Sequence, residues 1–180
     1  NPRKLGIIGI SIDEGDELIG AGLTSGSNDI LLCSDTGKSI RFSEKDVRPM
    51  GRVTRGVRGF ELGSGCCVVG MGIVSEGNTI LTVTENGYGK RTEISQYKVQ
   101  GRGGSGIKTA NITSKTGGIV MAAKLQDIAE DEDLIVISKH GQVIRTGVKS
   151  ISLLGRATQG VRIMRLDEGD KVASGAVLKE

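Results

Sequence analysis

The chain has 180 residues, with 29 Gly, 2 Pro, 37% hydrophobic and 25% charged residues, and a formal net charge of +3. This length suits one domain with a real core. Gly exceeds twice its usual roughly 7% without the Pro of a disordered tract, and no window approaches the ~20 apolar residues of a membrane span or resembles a signal peptide. In chain order, residues 5–12 read as the last strand of a repeat unit. A first strand follows at 18–23, a second at 30–32, the turn Asp35-Thr36-Gly37, a third strand at 39–42, and a single helical turn at 43–47. A long loop bearing Gly and Arg then leads to a fourth strand opening at Gly56-Val57. The succession recurs at 67–74, 80–83, Glu85-Asn86-Gly87, 89–92 and Gly106-Ile107, and again at 119–125, 134–137, Lys139-His140-Gly141, 143–146 and Gly160-Val161.

The recurrence is metric. The turn glycines Gly37, Gly87 and Gly141 step by 50 and 54 residues, as do Gly56, Gly106 and Gly160, and each turn glycine precedes its partner by 19. The four extra residues of the third copy therefore fall between Gly106 and Gly141, where an acidic run occupies 127–133. Four strands per unit of about 50 residues predict an all-β, propeller-like repeat of four-stranded blades. Whole repeats at 13–62, 63–112 and 113–166 sit between the end of a preceding blade (1–12) and the start of the next (167–180). That is a partial arc of about three to four blades, expected to be a piece of a larger repeat domain. Its expected core is Leu18, Ile30, Leu32, Val69, Ile80, Val83, Ile119, Leu134, Val136 and Ile163.

Metal and nucleophile chemistry find little support. Cys66 and Cys67 are adjacent, Cys33 stands alone, and His140 is the single His, so the short-spaced ligand clusters of a zinc site are missing. The odd cysteine count fits a reducing cytoplasm, with cysteines acting as small buried hydrophobes in strands. The carboxylates Glu130-Asp131-Glu132-Asp133 lie in the inserted loop, where they read as a solvated turn; the mid-loop Gly of a calcium loop is absent.

Charge is segregated. The windows 38–58, 88–108 and 142–162 hold 16 basic and 3 acidic residues, an excess of +13, so the remainder carries −10. The basic residues are Lys38, Arg41, Lys45, Arg48, Arg52, Arg55 and Arg58 in the first window. Lys90, Arg91, Lys98, Arg102 and Lys108 stand in the second, and Arg145, Lys149, Arg156 and Arg162 in the third. Three sets are in register: Arg41/Arg91/Arg145, Arg52/Arg102/Arg156 and Arg58/Lys108/Arg162. On equivalent blades they form a row, the electrostatic footprint of a polyanion site. The alternative is that these arginines pair across blades and hold the arc together. Gly51, Gly101, Gly103 and Gly104 would let backbone N–H groups approach phosphates. Aromatic residues make up 2% of the chain, so no stacking platform for single strands exists, and duplex DNA held by its backbone fits better.

Gly87-Tyr-Gly-Lys-Arg-Thr92, Gly51-Arg-Val-Thr-Arg-Gly-Val-Arg-Gly59, Gly155-Arg-Ala-Thr-Gln-Gly-Val-Arg162 and Asp16-Glu-Leu-Ile-Gly20 resemble blade motifs of the C-terminal domain of the DNA gyrase A subunit, in order along the whole chain. The resemblance implies the later blades of a β-pinwheel, in which neighbouring blades exchange strands and DNA wraps the basic rim. It implies a non-catalytic part of a bacterial topoisomerase, in the cytoplasm on the nucleoid. Its partners would be duplex DNA, the remainder of the gyrase A subunit, plus the gyrase B subunit, with no membrane. The fragment itself would take no cofactor; ATP and Mg would serve other domains and subunits in negative supercoiling. Gln100-Gly-Arg-Gly-Gly-Ser-Gly106 departs from the family's first-blade box, with Gly101 and Ser105 where basic residues belong. The alternatives are the A subunit of topoisomerase IV, a protein-binding propeller scaffold (though the Trp-Asp blade signature is absent) and a propeller hydrolase.

Overall fold

The structure, a computed structural model, describes residues 6–126 and 132–179. Its hairpins are β1 (Asp29–Ser34) with β2 (Lys38–Ser43), β4 (Thr79–Thr84) with β5 (Tyr88–Glu93), and β8 (Glu132–Ser138) with β9 (Val143–Gly147). Gly37, Gly87 and Gly141 close the turns at φ of 79°, 76° and 87°, the left-handed region that a Cβ disfavours. Between the hairpins run β3 (Val68–Val74), β6 (Ile107–Lys108), β7 (Ile119–Leu125), β10 (Val161–Arg162) and β11 (Val172–Lys179). Three-residue 3-10 turns follow β2, β5 and β9, at Glu44–Asp46, Ile94–Gln96 and Val148–Ser150; sequence reading anticipates the first alone.

The strands form three antiparallel sheets, ordered β3-β1-β2-β6, β10-β5-β4-β7 and β11-β8-β9. Each takes its central hairpin from one repeat and its flanking strands from the next. In the first sheet Leu31 faces Gly72 and Ser39 faces Ile107; in the second Leu81 faces Ala123 and Gly89 faces Val161. The blades thus exchange strands, and the sheet straddles the sequence repeat.

This exchange corrects two expectations. Residues 18–23 and the segment opening at Gly56-Val57 form no strand. By the exchange pattern they would flank a hairpin preceding β1, and none lies among the described residues. Leu18 is accordingly 60% exposed and not a core residue. Phe60 still packs over Ile40 and Phe42.

Apolar clusters lie between successive hairpins. Leu31, Cys33, Val74, Ile80, Ile94 and Tyr97 join the first two sheets. Leu81, Val83, Leu125, Leu134, Val136, Val148, Ile151, Met164 and Val172 join the second and third. Of the remaining expected core, Ile80, Val83, Ile119, Leu134 and Val136 are buried, while Ile30, Leu32, Val69 and Ile163 are half-buried. Burial pushes the Cys33 thiol up to about 12. Cys66 and Cys67 depart from the buried-strand expectation: Cys66 is half-buried and Cys67 exposed, because pairing of this segment with β1 starts at Val68. Small residues let β7 pack against both β3 and β11. A Cβ on Gly70 would meet the Ala122 carbonyl, and one on Gly175 would come within 2.7 Å of Met121 Sδ. Among the described residues no helix is long and apolar enough to cross a membrane. The acidic positions 127–131 lie outside the described residues.

Candidate nucleic-acid interface

After its 3-10 turn, each repeat runs back along the outer edge of the preceding sheet and docks there twice. Val99 bridges in parallel with Arg41, where Gln100 N–H donates to the Arg41 carbonyl at 2.8 Å. Beyond a loop, β6 pairs antiparallel with Lys38 and Ser39. One repeat on, Leu153 bridges with Arg91, Leu154 N–H donates to the Arg91 carbonyl at 2.8 Å, and β10 pairs with Gly89 and Tyr88. The loops 101–106 and 155–160 are therefore pinned at both ends, and each arches over the β2 or β5 residue left between its anchors.

That residue is Ile40 under the first arch and Lys90 under the second. Lys90 is 1% exposed, and its Nζ donates to the carbonyls of Gly155 (2.7 Å) and Arg156 (2.6 Å) and to Thr158 Oγ1 (3.1 Å). Burial, with Arg156 nearby, lowers its pKa to about 8. The expectation that Lys90 faces outward is corrected: its three donors hold the next repeat's loop.

Arg41 also turns inward, at 7% exposure. It pairs with Asp29 and Glu76, each at 2.8 Å, and donates through Nη1 to the carbonyls of Ile94 (3.2 Å) and Tyr97 (3.1 Å) in the following repeat. The cation is buried because carboxylates and orphan turn carbonyls surround it. Arg91 repeats the contact through Ile151 O at 2.7 Å and Lys149 O at 3.2 Å, and Arg145 on β9 pairs with Asp133 at 2.5 Å. This first in-register set joins blades.

The second set points backward along the chain. Arg102 donates through Nε to the Asp46 carbonyl at 3.0 Å and through Nη1 to the Arg58 carbonyl. Arg156 donates through Nη1 to the Lys108 carbonyl, and its backbone N–H to Gln96 Oε1 at 3.0 Å. Both are half-buried. Successive loops therefore touch, the second resting on the first and the third on the second. Gly103 N–H donates to the Gly59 carbonyl at 2.9 Å, so it is engaged within the protein and not directed at a phosphate.

What projects from this chain of loops is basic. Lys38, Lys45, Arg48, Arg52, Arg55, Arg58, Lys98, Lys108, Lys149 and Arg162 are exposed. Arg55 lies 3.2 Å from Asp13, and Arg162 donates to Tyr88 Oη at 3.0 Å. Ten cations carried by three loops in mutual contact make one electropositive surface on a scaffold of strands. Sequence reading missed Lys115 and Arg165, which lie outside the repeating windows, and no periodic signal marks them.

A strand-exchanged propeller of 50-residue units with a basic loop surface defines the β-pinwheel class. The chain belongs to the family described as DNA gyrase C-terminal domain, beta-propeller, which matches residues 2–25, 28–65, 78–125 and 132–179. It is 45% identical over 170 residues to the DNA gyrase A subunit of Mycolicibacterium smegmatis, covering 93% of this chain and 20% of that protein. It is also 45% identical over 180 residues to the DNA gyrase A subunit of Staphylococcus epidermidis, covering 99% and 20%. The chain thus spans about a fifth of the length of these relatives. Among solved structures, a DNA gyrase A C-terminal domain superposes with a TM-score of 0.83 at 29% identity, over 98% of this chain and 59% of that one. The C-terminal domain of a DNA topoisomerase IV shares the fold, with a TM-score of 0.87 at 20% identity over 97% and 54%.

Proposed function

We propose that the chain holds and wraps duplex DNA for a type IIA topoisomerase, as part of a gyrase A subunit. The observation that carries this reading is the contact between successive loops, which joins their exposed Lys and Arg side chains into one surface. Cations fixed on a rigid curved support bind the phosphate backbone through charge-assisted contacts and counterion release, with little reading of bases. Curvature follows when each repeat meets a successive phosphate segment. In the complete enzyme the wrapped duplex would present a second segment to the cleavage core, supporting ATP-dependent negative supercoiling. Cleavage and ATP hydrolysis would belong to other domains and to the gyrase B subunit. The setting would be the bacterial cytoplasm, on the nucleoid.

Wrapping is tested by sealing a nicked circular DNA with ligase in the presence of the protein, then removing the protein. A shift in the topoisomer distribution that grows with protein supports wrapping. Binding with an unchanged distribution contradicts it.

A further inference from the structure

At the hairpin end of the second sheet, away from the loop arches, lies an open cleft of about 420 Å³. Tyr88, Lys115, Arg162, Arg165 and Asp167 are among its lining residues. Two cations share one ring: Lys115 Nζ lies 5.4 Å and the Arg162 guanidinium 5.5 Å from the Tyr88 centroid. Arg162 also donates to Tyr88 Oη at 3.0 Å, which lowers the phenol's pKa. The turn that presents Lys115 is fixed. Asn86 Nδ2 donates to the carbonyls of Ser114 (3.2 Å) and Lys115 (3.1 Å), and Thr113 N–H donates to Thr116 Oγ1 at 3.0 Å. Among the described residues, no carboxylate pairs with Lys115, Arg162 or Arg165. The acidic residues at the cleft's other end are already engaged. Asp170 accepts from the N–H groups of His140 (3.1 Å) and Lys171 (2.7 Å), and Asp167 accepts from Gln142 Nε2 at 2.8 Å.

We infer that this cleft is a phosphate-binding site particular to the second sheet. Three convergent cations without carboxylate partners leave room for a multiply charged anion, and guanidinium forks match phosphate oxygens. The site does not belong to the repeating row. One repeat earlier and one later, the counterparts of Lys115 are Gly65 and Gly169, and those of Tyr88 are Lys38 and Gln142. Arg165 replaces Asn111 and Glu61 of the earlier repeats. Two sources of phosphate fit: a phosphodiester of the duplex held by the neighbouring loops, which rests on the DNA reading above, or a free phosphate compound, which does not.

The test is a pair of heteronuclear NMR titrations of the whole chain, one with inorganic pyrophosphate and one with a blunt duplex. The Tyr88 amide and Arg162 Nε report on the cleft, and the Lys45 and Lys98 amides on the loops. Saturable cleft shifts with pyrophosphate, weakened about tenfold in K115Q/R165Q, establish the site. Cleft shifts with the duplex assign a phosphodiester as the source. Pyrophosphate shifts with no response of either region to duplex keep the site and overturn the DNA reading. A cleft silent to both probes, or shifts undiminished in K115Q/R165Q, overturns the inference even where the loops respond to duplex.

Discussion

Lys90 Nζ, on a strand of one repeat, donates to the carbonyl of Gly155 in the next at 2.7 Å, although the side chain is 1% exposed. A buried ammonium is tolerated only when its donors are met. Here Gly155 O, Arg156 O and Thr158 Oγ1 meet all three. Lys90→Met is therefore expected to lose about 1–3 kcal/mol and to release the 155–160 arch. Urea denaturation gives the stability, and amide exchange at residues 155–160 reports the release.

Arg41 is the corresponding junction between the first two blades. Replacing it by Met leaves Asp29 and the turn carbonyls without their cation, at an expected cost of about 3–5 kcal/mol. Arg41→Lys should recover part of this, since one ammonium cannot span both carboxylates and two carbonyls. Thermal melts of the two variants should order accordingly.

Leu134 is 0% exposed at the centre of the cluster between the second and third sheets. Leu134→Ala should cost roughly 2–5 kcal/mol by opening a cavity there. The matched change at Leu18, which is 60% exposed, should move the denaturation midpoint little.

Glu85 gives the acid limb of stability a specific origin. Lys171 Nζ at 3.0 Å and the Gly118 N–H at 3.3 Å hold its carboxylate below the usual value of 4.5. A depressed folded-state pKa adds stability that is fully present above pH ~4.5 and fades as pH falls through the lowered value. Glu85→Gln should flatten this part of the Tm-against-pH profile and leave its slope near neutrality unchanged.

Spacing made much of this fold legible. The intervals between Gly37, Gly87 and Gly141 locate all three hairpins, and the pattern of four strands per unit is present. The pairing of strands from different repeats is invisible to spacing, because a strand at 68–74 reads alike whichever hairpin it joins. Leu18 reads as a core residue for the same reason. The site was legible as a set of basic windows but not as directions. β2 is buried at Ser39, Ile40, Arg41 and Phe42 in succession, since blades cover both of its faces. The two-residue alternation that separates inward from outward side chains is therefore lost. Arg41 and Lys90 consequently carry the same sequence signature as the exposed Lys45 and Lys98. Only the carbonyls above them distinguish the cations that bind the protein to itself.

The most direct measurement of this division is duplex affinity against salt, set beside a thermal melt, for two variants. One replaces the exposed Lys45, Arg48, Lys98 and Lys108 by Gln, and the other is Lys90→Met. The surface variant is expected to melt like the parent, while its log–log salt slope falls by about 0.9 for each phosphate contact removed. The Lys90 variant is expected to melt lower, with a slope close to the parent's. A surface variant that keeps the parent's full affinity and slope would contradict the account.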